Sequence, residues 1–258
     1  SAQQAGGKLW QRVILAGRPD LPDRSDAALQ VRYAKLHLHE ARLPDYDETC
    51  RMVVASHDHG RPVAIHCVTL AELVFALGVV ADAGVLPGDR IEHAGIAADE
   101  QVAAIAALGL IVVTQPNFIA ERGDAYRADV EPAEQPWLYR GAAFLKAGVA
   151  LAAGSDAPFG HPDPWAAMAA AVTRQSAAGH TIGPAERLTP EQALMLYLGQ
   201  GDAPQQARRI AVGAPADLCL LDRDWSAART DLERGLVKLT VRSGETLFTR
   251  PSASRSPP

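Results

Sequence analysis

No apolar run in this sequence reaches the ~20 residues that a membrane-spanning helix requires, and the N-terminus lacks a signal-peptide pattern. Cysteine is scarce: Cys50, Cys67 and Cys219 show no paired spacing, so we expect a reduced, cytoplasmic protein without structural disulfides. Positive charge is not in excess. A net charge of −5 argues against a nucleic-acid partner, which would favour a basic face. Internal repeats, heptad arrays and glycine-rich phosphate fingerprints are absent as well, which leaves no signature of a solenoid, a coiled coil or a nucleotide cradle.

Apolar residues are plentiful. They make up 48% of the 258 positions, enough for a sizeable core. Short β-branched runs alternate with helical patterns, at 12–15, 31–38, 62–68, 90–94, 110–115 and 149–155. Most are apolar throughout, as expected of parallel strands covered on both faces. The intervening helices carry end signals. Thr69 and Glu72 make a capping-box pattern closed by Gly84, and Thr189, Pro190 and Gln192 repeat the device up to about Gly199. Asp163 and Pro164 read as N-cap and first helical residue of a helix over 165–178. The stretch 117–136 reads as a long charged rim connection, lid-like in position.

From Lys35, successive strand ends fall at His66, His93, Gln115 and Asp156, at intervals of 31, 27, 22 and 41 residues. A complete (β/α)₈ barrel spends roughly 31 residues per unit. The expected fold is therefore α/β, a partial TIM-like barrel over 1–210 with about six βα units and strands one and two to be supplied from upstream. Beyond it, 211–250 reads as a small β-rich appendage, and the Ser/Pro-rich 251–258 as a disordered tail.

Barrel enzymes carry their chemistry at the C-terminal ends of the strands. There this sequence puts Lys35, His66, His93 and Asp156. Imidazole and carboxylate are Zn²⁺ ligands, and a coordinated water loses its proton near neutral pH, with a nearby carboxylate able to take it. Bland alternatives stand beside each. A strand-end histidine can simply be packed, Asp156 can cap a turn, and Lys35 can form an ion pair with Glu92 or Asp156. His37 and His39 form an H-x-H on one strand face, but directly after Lys35 and ahead of a loop, so they stay outside the expected ligand set. His57 and His59 sit at a helix C-terminus, where their role is structural. His161 and His180 fall in loops, and Cys67 faces away from His66 into the core.

Ala34-Lys35-Leu36, Ala64-Ile65-His66, Arg90-Ile91-Glu92-His93, Thr114-Gln115-Pro116, Gly154-Ser155-Asp156-Ala157-Pro158, Leu188-Thr189-Pro190-Glu191-Gln192 and Gly213-Ala214-Pro215-Ala216-Asp217-Leu218 occur in that order. Together they resemble the amidohydrolase superfamily, in its family-3 branch of N-acyl or formamide-type hydrolases. The resemblance implies metal-dependent hydrolysis of a non-peptide, amide-like carbon–nitrogen bond in a small molecule. It implies Lys35 as a lysine often carboxylated to bridge metals, and His66, His93 and Asp156 as further ligands of one or two divalent ions, Zn²⁺ foremost. Asp156 would also be the general base toward water, and Glu92 a supporting partner of His93. The C-terminal strands resemble part of the family's β-sandwich. Two departures stand out: the strand-one H-x-H is not in this sequence, and Cys67-Val68-Thr69 replaces the Gly-Asp that follows the strand-five histidine in many relatives. The alternative to an enzyme is a truncated or split, non-catalytic partial barrel that self-associates or pairs with a chain supplying the N-terminal half.

Overall fold

The structure, a computed structural model, describes residues 10–22, 29–200 and 203–251. Six strands form one parallel sheet in sequential order: β1 (Val13–Gly17), β2 (Leu29–His37), β3 (Val63–Cys67), β4 (Arg90–His93), β5 (Ile111–Thr114) and β6 (Ala150–Ala153). Helices follow the strands from β2 onward: α1 (Tyr46–Asp58), α2 (Leu70–Ala83), α3 (Asp99–Leu108), α4 (Asn117–Asp129), a short α5 (Ala142–Lys146), α6 (Pro164–Thr173) and α7 (Pro190–Leu198). Among the described residues β1 and β6 each have a single neighbour in this sheet. This is the expected βα cadence, and it fits a partial barrel.

The register shows which residues of the apolar runs each strand turns outward. Leu36, Ile65, Ile91, Val112 and Leu151 are lateral neighbours across five strands and form the outward row that the helices cover. With Val53, Leu73, Ala76, Val80, Val102, Ile105 and Met168 they make the main core. The inward rows begin with Lys35 beside Ala64 and Arg90, and one layer higher with His37 beside His66 and Glu92. Two-residue alternation thus sends hydrophobes to the helices and polar groups to the concave side.

Caps fall where the sequence puts them. Thr69 accepts from Glu72 N while the Glu72 carboxylate accepts from Thr69 N, and Thr189 with Gln192 does the same. Two expectations need correction. The 117–136 stretch is not a loop, because α4 occupies its first thirteen residues. It buries Phe118 and Ile119 in a second core cluster with Ile96, Leu138, Tyr139 and Ile182. The helix after Asp163 stops at Thr173 instead of Ala178, because Arg174 takes a left-handed conformation (φ 57°) and turns its guanidinium inward. After a two-stranded ribbon, β7 (Gly199–Gln200) with β8 (Ala203–Ala207), come β9 (Leu218–Leu221), the one-turn α8 (Trp225–Ala228), β10 (Val237–Arg242) and β11 (Glu245–Thr249). The last three strands form a small antiparallel sheet in the order β11-β10-β9. Of the expected tail at 251–258, residues 252–258 lie outside the described residues.

Candidate active site

His37 and His66 are lateral neighbours in register, and their rings stack 4.1 Å apart at an interplanar angle of 13°. His93 should face outward by alternation, since its neighbour is the core residue Cys67. It does not. Ala94 N donates to Glu92 O across His93, whose φ is +71°, the rare and strained form of γ-turn. The turn swings the His93 ring to 4.5 Å from the His66 ring, at 76° to it. Gly95 makes this tight exit feasible: a Cβ there would lie 2.5 Å from Val68 O.

Ring orientation separates these histidines chemically. An imidazole binds an ion in its own plane, along the nitrogen lone pair. The planes of His66 and His93 cross, so their nitrogens can converge on one ion. Those of His37 and His66 run nearly parallel and cannot. His37 therefore belongs to the cluster as a stacking neighbour, a contact that the H-x-H spacing did not reveal. His93 Nδ1 lies 2.7 Å from Gln115 Oε1. That oxygen can only accept, so Nδ1 carries the proton and Nε2 the lone pair. Glu92, the expected partner of this ring, instead accepts from Arg90 Nε at 2.7 Å. The Arg90 guanidinium in turn lies 4.0 Å from the Tyr33 ring centroid.

Burial foremost, then the neighbouring His93, His37 and Lys35, push the His66 pKa down to about 3. Burial also lowers His93. Both rings are therefore neutral near pH 7, the form that binds metal. Lys35 is lowered too, mainly by burial and partly offset by Glu92. Among the described residues no carboxylate lies within ion-pair distance of its ammonium, so the ion-pair alternative is not what the structure shows. These shifts make the metal-free protein acid-sensitive. An unfolded histidine takes up its proton below about pH 6.5 while the folded His66 resists down to about pH 3, so stability falls across that window as the pH drops. From His66 alone we expect a loss of about 1 kcal/mol between pH 7 and pH 5, roughly half its full linkage value because it keeps one edge in water. Urea unfolding at both pH values, beside His66→Asn/His93→Asn, checks it. An equal pH slope in the double variant would mean that the rings are not held neutral.

Asp156 stands on the turn after β6, exposed and left-handed (φ 55°), a conformation that aspartate tolerates better than most residues. Its carbonyl accepts from Phe159 N and Gly160 N. Asn117 Nδ2, from the start of α4, donates to Ser155 O at 3.3 Å, and Glu121 on the same helix accepts from His161 N. So the helix expected as a loop fixes the Asp156 turn. Among the described residues the Asp156 carboxylate accepts no hydrogen bond. It lies within electrostatic reach of both Lys35 and His93. His57 and His59, expected to be structural, are tied up, His57 Nε2 with Asp89 and His59 Nδ1 with Ala55 O, whereas His180, expected only in a loop, pairs through Nδ1 with Asp124.

Among the described residues, no three His, Cys, Asp or Glu side chains converge into a ready-made metal site. The donor chemistry nevertheless suits a divalent ion: two neutral imidazoles have crossing planes, one with its tautomer fixed, and the Asp156 carboxylate and desolvated Lys35 amine lie within electrostatic range of them.

The sequence profile of the Amidohydrolase family matches residues 9–248. The chain is 33% identical over 143 residues to the N-substituted formamide deformylase of Arthrobacter pascens, an alignment covering 52% of this chain and 26% of that protein. It is 25% identical to YtcJ of Bacillus subtilis strain 168, over 95% of this chain and 46% of that one. The chain thus spans half or less of the length of these relatives. Crystal structures of uncharacterized metal-dependent hydrolases from Pyrococcus furiosus and Pyrococcus horikoshii share the fold, with TM-scores of 0.65 and 0.67. Each is 24% identical, over 76% of this chain and 46% of the other.

Proposed function

The chain belongs to the amidohydrolase family, and from that membership we propose that His66, His93, Asp156 and Lys35 hold a divalent metal, Zn²⁺ first, for hydrolysis of an amide-like carbon–nitrogen bond. The observation that carries this reading is the crossed His66/His93 pair, with His93 Nδ1 occupied by Gln115 so that Nε2 is left for a ligand. A bound ion would supply Lewis acidity, polarising the scissile carbonyl and acidifying water. The chain's own residues do the rest. Asp156, exposed and unencumbered at the rim, accepts the proton of the attacking water and returns it to the departing amine. Desolvation of Lys35 favours its neutral amine, the form that carboxylation requires. The products are a carboxylic acid and an amine. An N-substituted formamide, the substrate type in the name of the Arthrobacter relative, is the first to assay.

We read 1–210 as the barrel portion, the β9–β11 sheet as part of a β-sandwich, and the three free cysteines as the mark of a reducing cytoplasm. No described helix is long and apolar enough to cross a membrane. The single-neighbour edges β1 and β6 favour a second reading, in which the sheet is completed by a further copy or by a partner chain.

Zn²⁺ titration tests the ligand set. We expect stoichiometric binding, weakened about 100-fold in His93→Ala, since one imidazole of four donors is lost. Unchanged affinity in that variant would remove His93 from the site. Tight binding without turnover of any amide would mark the second reading.

A further inference from the structure

Gln115 is 3% exposed and His93 5% exposed, so their hydrogen bond is shielded from water. The amide is itself oriented: Nε2 donates to Val113 O at 3.3 Å, which turns Oε1 toward the ring. The result is a directed chain from the β5 backbone through one side chain to the His93 Nδ1–H, ending on a defined lone-pair nitrogen. Its members come from adjacent parallel strands, β4 and β5, paired Arg90 to Ile111 and Glu92 to Val113, so the sheet register sets the reach. A buried amide must be bonded to something. This one meets the one ring whose backbone is strained to bring it into the cluster.

We propose that Gln115 is a positioning residue, which holds the His93 imidazole in the Nδ1-protonated tautomer so that Nε2 is the metal-binding atom. The metal part of this statement rests on the function proposed above; the tautomer part does not. A neutral acceptor suits the task. A carboxylate would also fix the tautomer but would favour the imidazolium, whereas the amide orients the ring without adding a charge. Gln115 touches no reacting atom in this scheme and acts only through His93.

The test uses the full chain with Gln115→Leu, Gln115→Asn and Gln115→Glu. Long-range ¹H–¹⁵N spectra of the metal-free proteins read the tautomer, and competition with a chromophoric chelator at pH 8 reads Zn²⁺ affinity. The wild type shows His93 protonated at Nδ1, and Gln115→Glu keeps that signature with affinity within about tenfold. Gln115→Leu and the shorter Gln115→Asn lose the signature and bind Zn²⁺ roughly 10–100-fold more weakly, the usual cost of removing such a partner. Should Gln115→Leu fail to fold, the Glu and Asn variants carry the same comparison. An unchanged His93 tautomer in Gln115→Asn, or its loss in Gln115→Glu, overturns the proposal. If no protein in the series binds Zn²⁺ while the tautomer responds as stated, Gln115 stands as the orienting partner and the metal-site reading falls instead.

Discussion

Arg174→Met should lower the unfolding free energy by about 3–5 kcal/mol, read from urea midpoints, with a thermal midpoint roughly 10 °C lower. Arg174 is 1% exposed and ends α6. Its guanidinium spends its donors on backbone: Nε on Ile182 O at 2.9 Å, Nη1 on Tyr139 O at 2.9 Å and Nη2 on Leu138 O at 2.7 Å. Two effects oppose each other on substitution. Methionine fills similar volume and removes a desolvated charge, one whose burial pulls the pKa down to about 10 despite Glu186. Against that, three buried carbonyls lose their donors at roughly 1–3 kcal/mol each. Three acceptors outweigh one poorly solvated cation that lacks a bonded carboxylate, so the loss wins. Lysine should rescue only in part, because an ammonium cannot span three carbonyls as the planar fork does. A change below about 1 kcal/mol would mean that water or backbone adjustment takes over those carbonyls.

The same residue shows where sequence reasoning stops. Ala170, Ala171, Val172 and Thr173 continue without a break into Arg174-Gln175-Ser176-Ala177-Ala178, a stretch with no glycine or proline until Gly179, so the helix reads onward. What ends it at Thr173 is tertiary demand for a buried guanidinium, which local propensity does not record. The start of α4 failed in the opposite way. Pro116 as N-cap gives no side-chain hydrogen bond, and the charged residues 121–129 hide a face that buries only Asn117, Phe118, Ile119 and Gly123. The strands were legible as short β-branched apolar runs at regular intervals, and from β2 to β6 one residue of each run falls in the outward row from Leu36 to Leu151.

At the proposed site, residue types at strand ends could be read, but directions could not. Lys35, His66 and His93 were found by spacing, yet strand alternation alone sends His93 into the core beside Cys67. The γ-turn that reverses it leaves a faint trace, the glycine at position 95 whose absent side chain permits the close approach to Val68. Gln115 over Glu92 as the His93 partner had no sequence signal, since the choice depends on Arg90 having already claimed Glu92 along the same strand.

In Asp156→Asn, kcat for an N-substituted formamide should fall about 1,000-fold at saturating Zn²⁺, within the range that a positioned general base contributes. The substitution isolates charge from structure. Asparagine accepts the left-handed backbone at φ 55° as readily as aspartate, whereas alanine would strain it. The contacts that fix the turn are made by its neighbours, Asn117 to Ser155 O and Glu121 to His161 N, and do not involve the Asp156 carboxylate. The side chain is exposed, so stability should change by less than about 0.5 kcal/mol. What the variant loses is the capacity to take a proton from water, plus one anionic donor to the ion. Metal content measured alongside the rate separates the two. A variant that keeps its Zn²⁺ and loses turnover identifies Asp156 as the base. One that regains most of its rate as Zn²⁺ is raised would make it chiefly a metal anchor, and a rate within tenfold of wild type would remove Asp156 from the chemistry, leaving the proton to another group at the rim.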